Sequence, residues 1–187
     1  MEKKKLRILG FKANDGGCAY YRLNMPFQKL VELYPEEVEV RIDDNPLGIN
    51  ASGTWTPDWN FENLKWADVV VINKISNYGG NYSARVVGKA KEFSKFVQMD
   101  TDDLLTGLYK EHRLSDVYEE KGLRDITKFM YSHSHLITVT QRKFAERVKP
   151  FIADGVLAVV KNAIDYELPG WNHEKIKSKK VRVGWAG

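Results

Sequence analysis

Residues 68–72 read DVVVI, four apolar residues in a row behind an aspartate. A strand with one wet face would alternate apolar and polar positions. An unbroken β-branched run of this length belongs instead to a parallel sheet covered on both faces. The neighbouring sequence agrees. Residues 6–11 (LRILGF), 96–99 (FVQM), 135–139 (HLITV) and 156–160 (VLAVV) are further strand-length apolar runs, and 38–42 (VEVRI) alternates. Between them lie helical patterns over 20–34, 83–94, 104–121, 123–132 and 141–148; in the first, Leu23, Phe27, Leu30 and Val31 recur at helical spacing. Strands alternating with helices predict βαβ units, right-handed crossovers and an α/β, Rossmann-like doubly wound, mainly parallel sheet.

The length of 187 residues suits one well-cored domain and the beginning of another. Residues 1–165 read as the Rossmann-like domain. Residues 166–180, with Pro169, Gly170 and a lysine cluster, read as a linker, and 181–187 (VRVGWAG) as the first strand of a second, truncated domain. The net charge of +4 comes largely from Lys3, Lys4 and Lys5 and from Lys175, Lys177, Lys179 and Lys180. Such clusters read as solvated tails, so no nucleic-acid partner is expected, and peripheral contact with a membrane stays open. Cys18 is the single cysteine, which excludes an internal disulfide and a cysteine-based zinc site. The opening MEKKKLRILGF is not a signal peptide, and no apolar stretch approaches the ~18 residues of a transmembrane helix. A soluble, cytoplasmic protein is expected.

Ligands of open parallel sheets bind outside the carboxyl ends of the strands. The residues that follow the expected strands are Asn14 to Gly17, Asp43-Asp44, Asn73-Lys74, Asp100 to Asp103, Thr140-Gln141 and Asn162. All should line one rim. Gly16 and Gly17 either form a tight turn or let the backbone approach an anion at the helix start, though neither a dinucleotide fingerprint nor a P-loop is present. Arg22, one turn into that helix, can reach a phosphate or carboxylate through two N–H groups, or serve as a surface arginine. For Asp100, Asp102 and Asp103 several uses compete. They could hold a divalent metal on a nucleotide-sugar, form a phosphatase-type pair, or face a metal-free cleft to orient a sugar hydroxyl or a neighbouring basic group; a strand end with a helix cap is the structural alternative. Trp55 and Trp59 are candidates to stack on a sugar, while Trp66 reads as core. His133 and His135 read as a helix-to-strand connection, and Cys18 as a packed small residue.

The ordered segments GCAYYRLNMPFQKL, WADVVVINK, VQMDTDDLL, HLITVTQRKFAERV, VVKNAID and VRVGWAG resemble the amino-terminal half of a GT-B glycosyltransferase of the group 1 (family 4) type. Lys161 stands where that family usually has proline. The resemblance implies two facing Rossmann-like domains. The amino-terminal one receives a saccharide or other hydroxyl acceptor, and the missing one binds most of the nucleotide-sugar donor. It implies no cofactor and no metal bound by the aspartates. Asp100, Asp102 and Asp103 are then the catalytic candidates, Gly16, Gly17, Arg22 and Asn162 the donor-side phosphate contacts, and Trp55, Trp59 and Lys74 the acceptor contacts. The chain alone is expected to be inactive. The alternatives are a metal-dependent GT-A transferase using the DTDD segment and a non-catalytic glycan-binding domain.

Overall fold

The computed structural model describes residues 4–12, 16–47, 61–74, 81–112, 115–120 and 122–163. The expected linker and second-domain strand, and Trp55 and Trp59, lie outside them. Six strands form one sheet: β1 (Leu6–Lys12), β2 (Val38–Asp43), β3 (Val69–Asn73), β4 (Phe96–Thr101), β5 (Leu136–Val139) and β6 (Val156–Val159). Their spatial order is β2-β1-β3-β4-β5-β6 and every pairing is parallel. The architecture is α/β, with the sheet of a Rossmann-like doubly wound fold. The chain runs from β1 to β2 on one side and then crosses to β3 on the other, so the switch in strand order falls between β1 and β3.

Burial explains the central strands. Val70, Val71 and Ile72 are all buried, because β3 carries helices on both faces. On one face, α2 (Met25–Leu33) packs Phe27 and Leu30 on Ile8, Val71, Val40 and Val69. On the other, α3 (Glu62–Trp66), α4 (Tyr82–Glu92), α6 (Leu123–His133) and α7 (Arg142–Val148) bury Leu64, Val86, Val87, Ala90, Met130, Phe144 and Val148 with Leu9, Phe11, Ile72, Met99 and Ile137. The larger core is therefore one-sided. No helix among the described residues is long and apolar enough to cross a membrane.

Two segments depart from the expected pattern. Residues 104–121 do not form one helix; a single 3-10 turn, Leu105–Gly107, precedes the short α5 (Ser115–Glu120). Leu105 is buried there without helical continuation, so the leucine spacing reflects a loop packed onto the core. The tryptophan-rich stretch ends in α3, where Trp66 is half-buried and takes the Arg41 guanidinium 4.0 Å from its ring centroid.

Glycine contacts yield a paired prediction. A Cβ on Gly155 would overlap the Ser134 carbonyl oxygen, whereas one on Gly88, exposed in α4, meets nothing within 4 Å. Gly155→Ala should destabilise the fold by ~1–3 kcal/mol, and Gly88→Ala should stabilise it by ~0.5–1 kcal/mol. Urea unfolding of both variants measures this; equal midpoints would contradict the packing at the β6 start.

Candidate functional site

The helix after β1 begins at α1 (Gly17–Ala19), widens into a π-helical segment, Tyr20–Asn24, and continues as α2. Single π-turns recur at functional sites because they redirect a side chain without ending the helix. The side chain carried by this one is Arg22. It turns under the rim and meets Asp100, the first residue of the acidic cluster, at the end of β4. Arg22 Nε donates to Asp100 Oδ2 at 2.9 Å and Arg22 Nη2 donates to Oδ1. Each side chain is only 5% exposed.

Asp100 has two further partners. Asn73 Nδ2, from β3, donates to Oδ2 at 3.2 Å, and Thr138 Oγ1, from β5, donates to Oδ1 at 2.6 Å. A carboxylate offers about four acceptor positions, so Asp100 is saturated. Its geometry is that of a group holding Arg22, the neighbouring-basic-group role, and it has no acceptor position left for a substrate hydroxyl. Arg22 is similarly engaged. Its Nη1 donates to the Val160 carbonyl oxygen at 2.9 Å and to Asn162 Oδ1 at 3.1 Å, which ties the end of β6 to the same charge. Burial disfavours the guanidinium, but the hydrogen bonds and charge of Asp100 outweigh it and raise its pKa further.

Asp102 and Asp103 serve a second cation. Lys74 Nζ lies 2.6 Å from Asp102 Oδ1 and 2.6 Å from Asp103 Oδ2, and donates to Cys18 Sγ at 3.1 Å. Lys74 adopts a left-handed backbone, φ 61°, and its N–H donates to the Asp100 carbonyl oxygen. A lysine in that region is strained, and such strain concentrates at ligand sites. Burial works against the ammonium, yet Asp102 and Asp103 hold its pKa well above the ordinary lysine value. Burial also opposes the Asp102 carboxylate; Lys74 and the Cys18 thiol overcome it and lower its pKa. Burial raises the Cys18 pKa against the pull of Lys74, so the thiol stays protonated.

Gly17, Cys18, Tyr21, Arg22, Asp102, Asn162 and Ala163 line one cleft of about 650 Å³. Its location, at the carboxyl ends of the strands beside the β1/β3 switch, is where open α/β sheets bind ligands. Gly16 stands at the helix start, directly before the cleft. Other rim residues go elsewhere. Asp43 accepts from the Asn45 N–H and from Asn63 Nδ2, and Gln141 stands directly before α7. Among the described residues no group of three His, Cys, Asp or Glu side chains is placed to hold a metal ion. Sequence reading placed Asn73 on the rim without its partner, and missed Tyr21, Thr138 and the Lys74–Cys18 contact. Tyr21 was visible as the neighbour of Arg22, but Thr138 becomes meaningful only through its register with Asp100.

No protein-family model matches this sequence, and no curated protein does either.

Two measurements check the charge assignments. Breaking a buried pair from one side costs ~3–5 kcal/mol, so Arg22→Ala and Asp100→Ala should each lose about that, and the double variant far less than the sum. Arg22→Lys should not rescue, because an ammonium cannot donate along two parallel N–H bonds; additive losses would show that the pair is not a unit. The Asp102 pKa is lower in the folded state. Its contribution is therefore present above the ordinary carboxylate value, ~3.9, and is lost as pH falls through its folded value. Asp102→Asn should flatten the acid limb of the stability–pH curve; an unchanged limb would contradict the Lys74 pairing.

Proposed function

We propose that this chain provides the acceptor side of a glycosyltransferase centre of the GT-B, group 1-like kind, which passes a sugar from a nucleotide-sugar to a hydroxyl group. The observation that supports it best is the meeting of Gly17, Arg22, Asp102 and Asn162 in one cleft at the strand-order switch. The ordered resemblance of the segments from residue 17 to residue 187 supports it independently. In the reaction the acceptor oxygen bonds to the anomeric carbon, the bond from that carbon to the phosphate oxygen breaks, and the nucleoside diphosphate leaves. The hydroxyl proton departs to a base or to the leaving phosphate. Asp102, half-buried and held acidic by Lys74, accepts a hydrogen bond from the acceptor hydroxyl and orients it; its lowered pKa makes it a weak base.

Charge distribution favours a division of labour between domains. Arg22 is neutralised by Asp100, and Lys74 faces both Asp102 and Asp103. Both of these cations are thus held by carboxylates, so the donor's phosphates draw their main cationic contacts from a second domain, with the Gly16-Gly17 amides and Lys161 of the adjoining space adding to them. Lys74 also bears on the metal-dependent alternative. Its ammonium occupies the position between the two carboxylates that a bridging divalent cation would take.

Ligand-observed NMR on the chain tests this. A panel of hexoses should show weak, saturable binding, and Asp102→Asn should weaken it by about tenfold, the worth of one hydrogen bond to a charged acceptor. Manganese-dependent binding of a nucleotide-sugar would favour the GT-A alternative instead. No saccharide binding at all would overturn the proposal.

A further inference from the structure

Behind the cleft the sheet leaves a second space. It measures about 320 Å³ and shares Tyr21, Arg22 and Ala163 with the outer cleft, so the two adjoin. Its walls are Tyr21, Pro26 and Phe27 from the helix, with Val160 beyond β6; its floor is Val71 and Gln98 with Thr138. Among the described residues, α2 is the helix packed on this face, and it covers the β1–β3 side. Across β4 to β6 the same face carries Phe96, 43% exposed, and Val156, 64% exposed, in register with Val69 and Gln98.

The polar groups of the floor are mostly used. Thr138 Oγ1 donates to Asp100 and accepts from Gln98 Nε2 at 3.1 Å. Gln98 Oε1 is left as an acceptor with no partner among the described residues. The compartment therefore combines aromatic and proline walls with a mixed floor, Val71 beside Gln98 and Thr138, and the charged Arg22, Asp100 and Lys161 complete its lining. A benzene-sized ring fills about 150 Å³, so about 320 Å³ takes a substituted ring. Aromatic walls favour a flat partner, whose faces and edges they can meet.

We propose that this inner compartment is a subsite for a flat, largely apolar ring, and that the acceptor is a two-part molecule. Its hydroxylated group occupies the outer cleft beside Asp102, and the ring attached to it sits between Tyr21, Phe27 and Val71. A donor on the ring, a phenolic O–H or ring N–H, meets Gln98. This rests on the saccharide-acceptor reading of the cleft and narrows it to ring-bearing acceptors.

Calorimetric titration of the chain with methyl and 4-nitrophenyl glycosides of the same hexose, and with free 4-nitrophenol, separates the two levels. The 4-nitrophenyl glycoside should bind at least tenfold more tightly than the methyl glycoside. Val160→Asp, which puts a charge at the compartment wall on an exposed edge, should erase that advantage. Equal affinities for the two glycosides would overturn the ring subsite and leave the saccharide reading standing. Binding of 4-nitrophenol as tight as that of its glycoside would overturn the saccharide reading and the two-part acceptor with it, and failure of every glycoside and of 4-nitrophenol to bind would overturn the ring subsite as well.

Discussion

The rim is organised around one buried pair of charges. Removing Arg22 and Asp100 from water costs several kcal/mol per ion, and attraction alone does not reliably recover that. Here the deficit is met by filling every acceptor position of the carboxylate and by giving the guanidinium two further oxygens. The partners come from β3, β4, β5, the stretch after β6 and the helix after β1. One charge pair therefore sets the relative position of five segments at the end of the sheet where a ligand would lie. Hydrophobic packing could not do this, because it has no direction. The π-segment follows from the same demand, since Arg22 must approach the sheet from a helix that also keeps Phe27 and Leu30 on the core.

The second cluster is of a different kind. Lys74, Asp102 and Asp103 are more exposed than the first pair, with Asp103 61% exposed. Their interactions are screened accordingly, and they contribute less to stability per contact. They carry the adaptable chemistry of the cleft: a thiol kept protonated, an ammonium kept charged, and a carboxylate kept ionised. Tyr118 of α5 lies near this cluster, and burial raises its pKa, so its hydroxyl stays protonated. A rigid saturated pair beside a softer, partly open triad is a sensible division for a site. The first fixes geometry, and the second is the part left partly open at the cleft.

Much of the fold was legible because parallel strands announce themselves. Their apolar runs are short, β-branched and bounded by helical patterns, and all six lay within a residue or two of the expected bounds. The rim followed from them, since a parallel sheet puts every strand's carboxyl end on one side. What failed to show in sequence is partnership. Arg22 and Asp100 are 78 residues apart, and no periodicity in either segment names the other. The same holds for Lys74 with Cys18, which composition alone reduces to a small packed residue. The 104–121 stretch misled for the opposite reason. Its leucines are apolar at plausible spacing, but they serve a loop that caps the core beneath the acidic cluster. The five-residue α3 was too short to register as a helix inside a tryptophan-rich connection.

The sheet is also covered unevenly, and this bears directly on the site. Among the described residues, α3, α4, α6 and α7 pack on the same face, the one that buries Met99, Ile137 and Val139. On the opposite face the described helix is α2, which ends its coverage near β3. Parallel sheets rarely leave a face to water, because both sides of their strands are apolar. Here β4 answers the problem in part by placing Gln98 and Asp100 on that face, and β5 by placing Thr138 there, so the polar ladder Gln98–Thr138–Asp100 runs from the bare region to the buried charge. Among the described residues this sheet face forms a graded wall, apolar toward Val156 and ionic toward Arg22. The proposed two-part acceptor would meet the same gradient along its length, its hydroxylated end toward the charges and its flat end toward the apolar side.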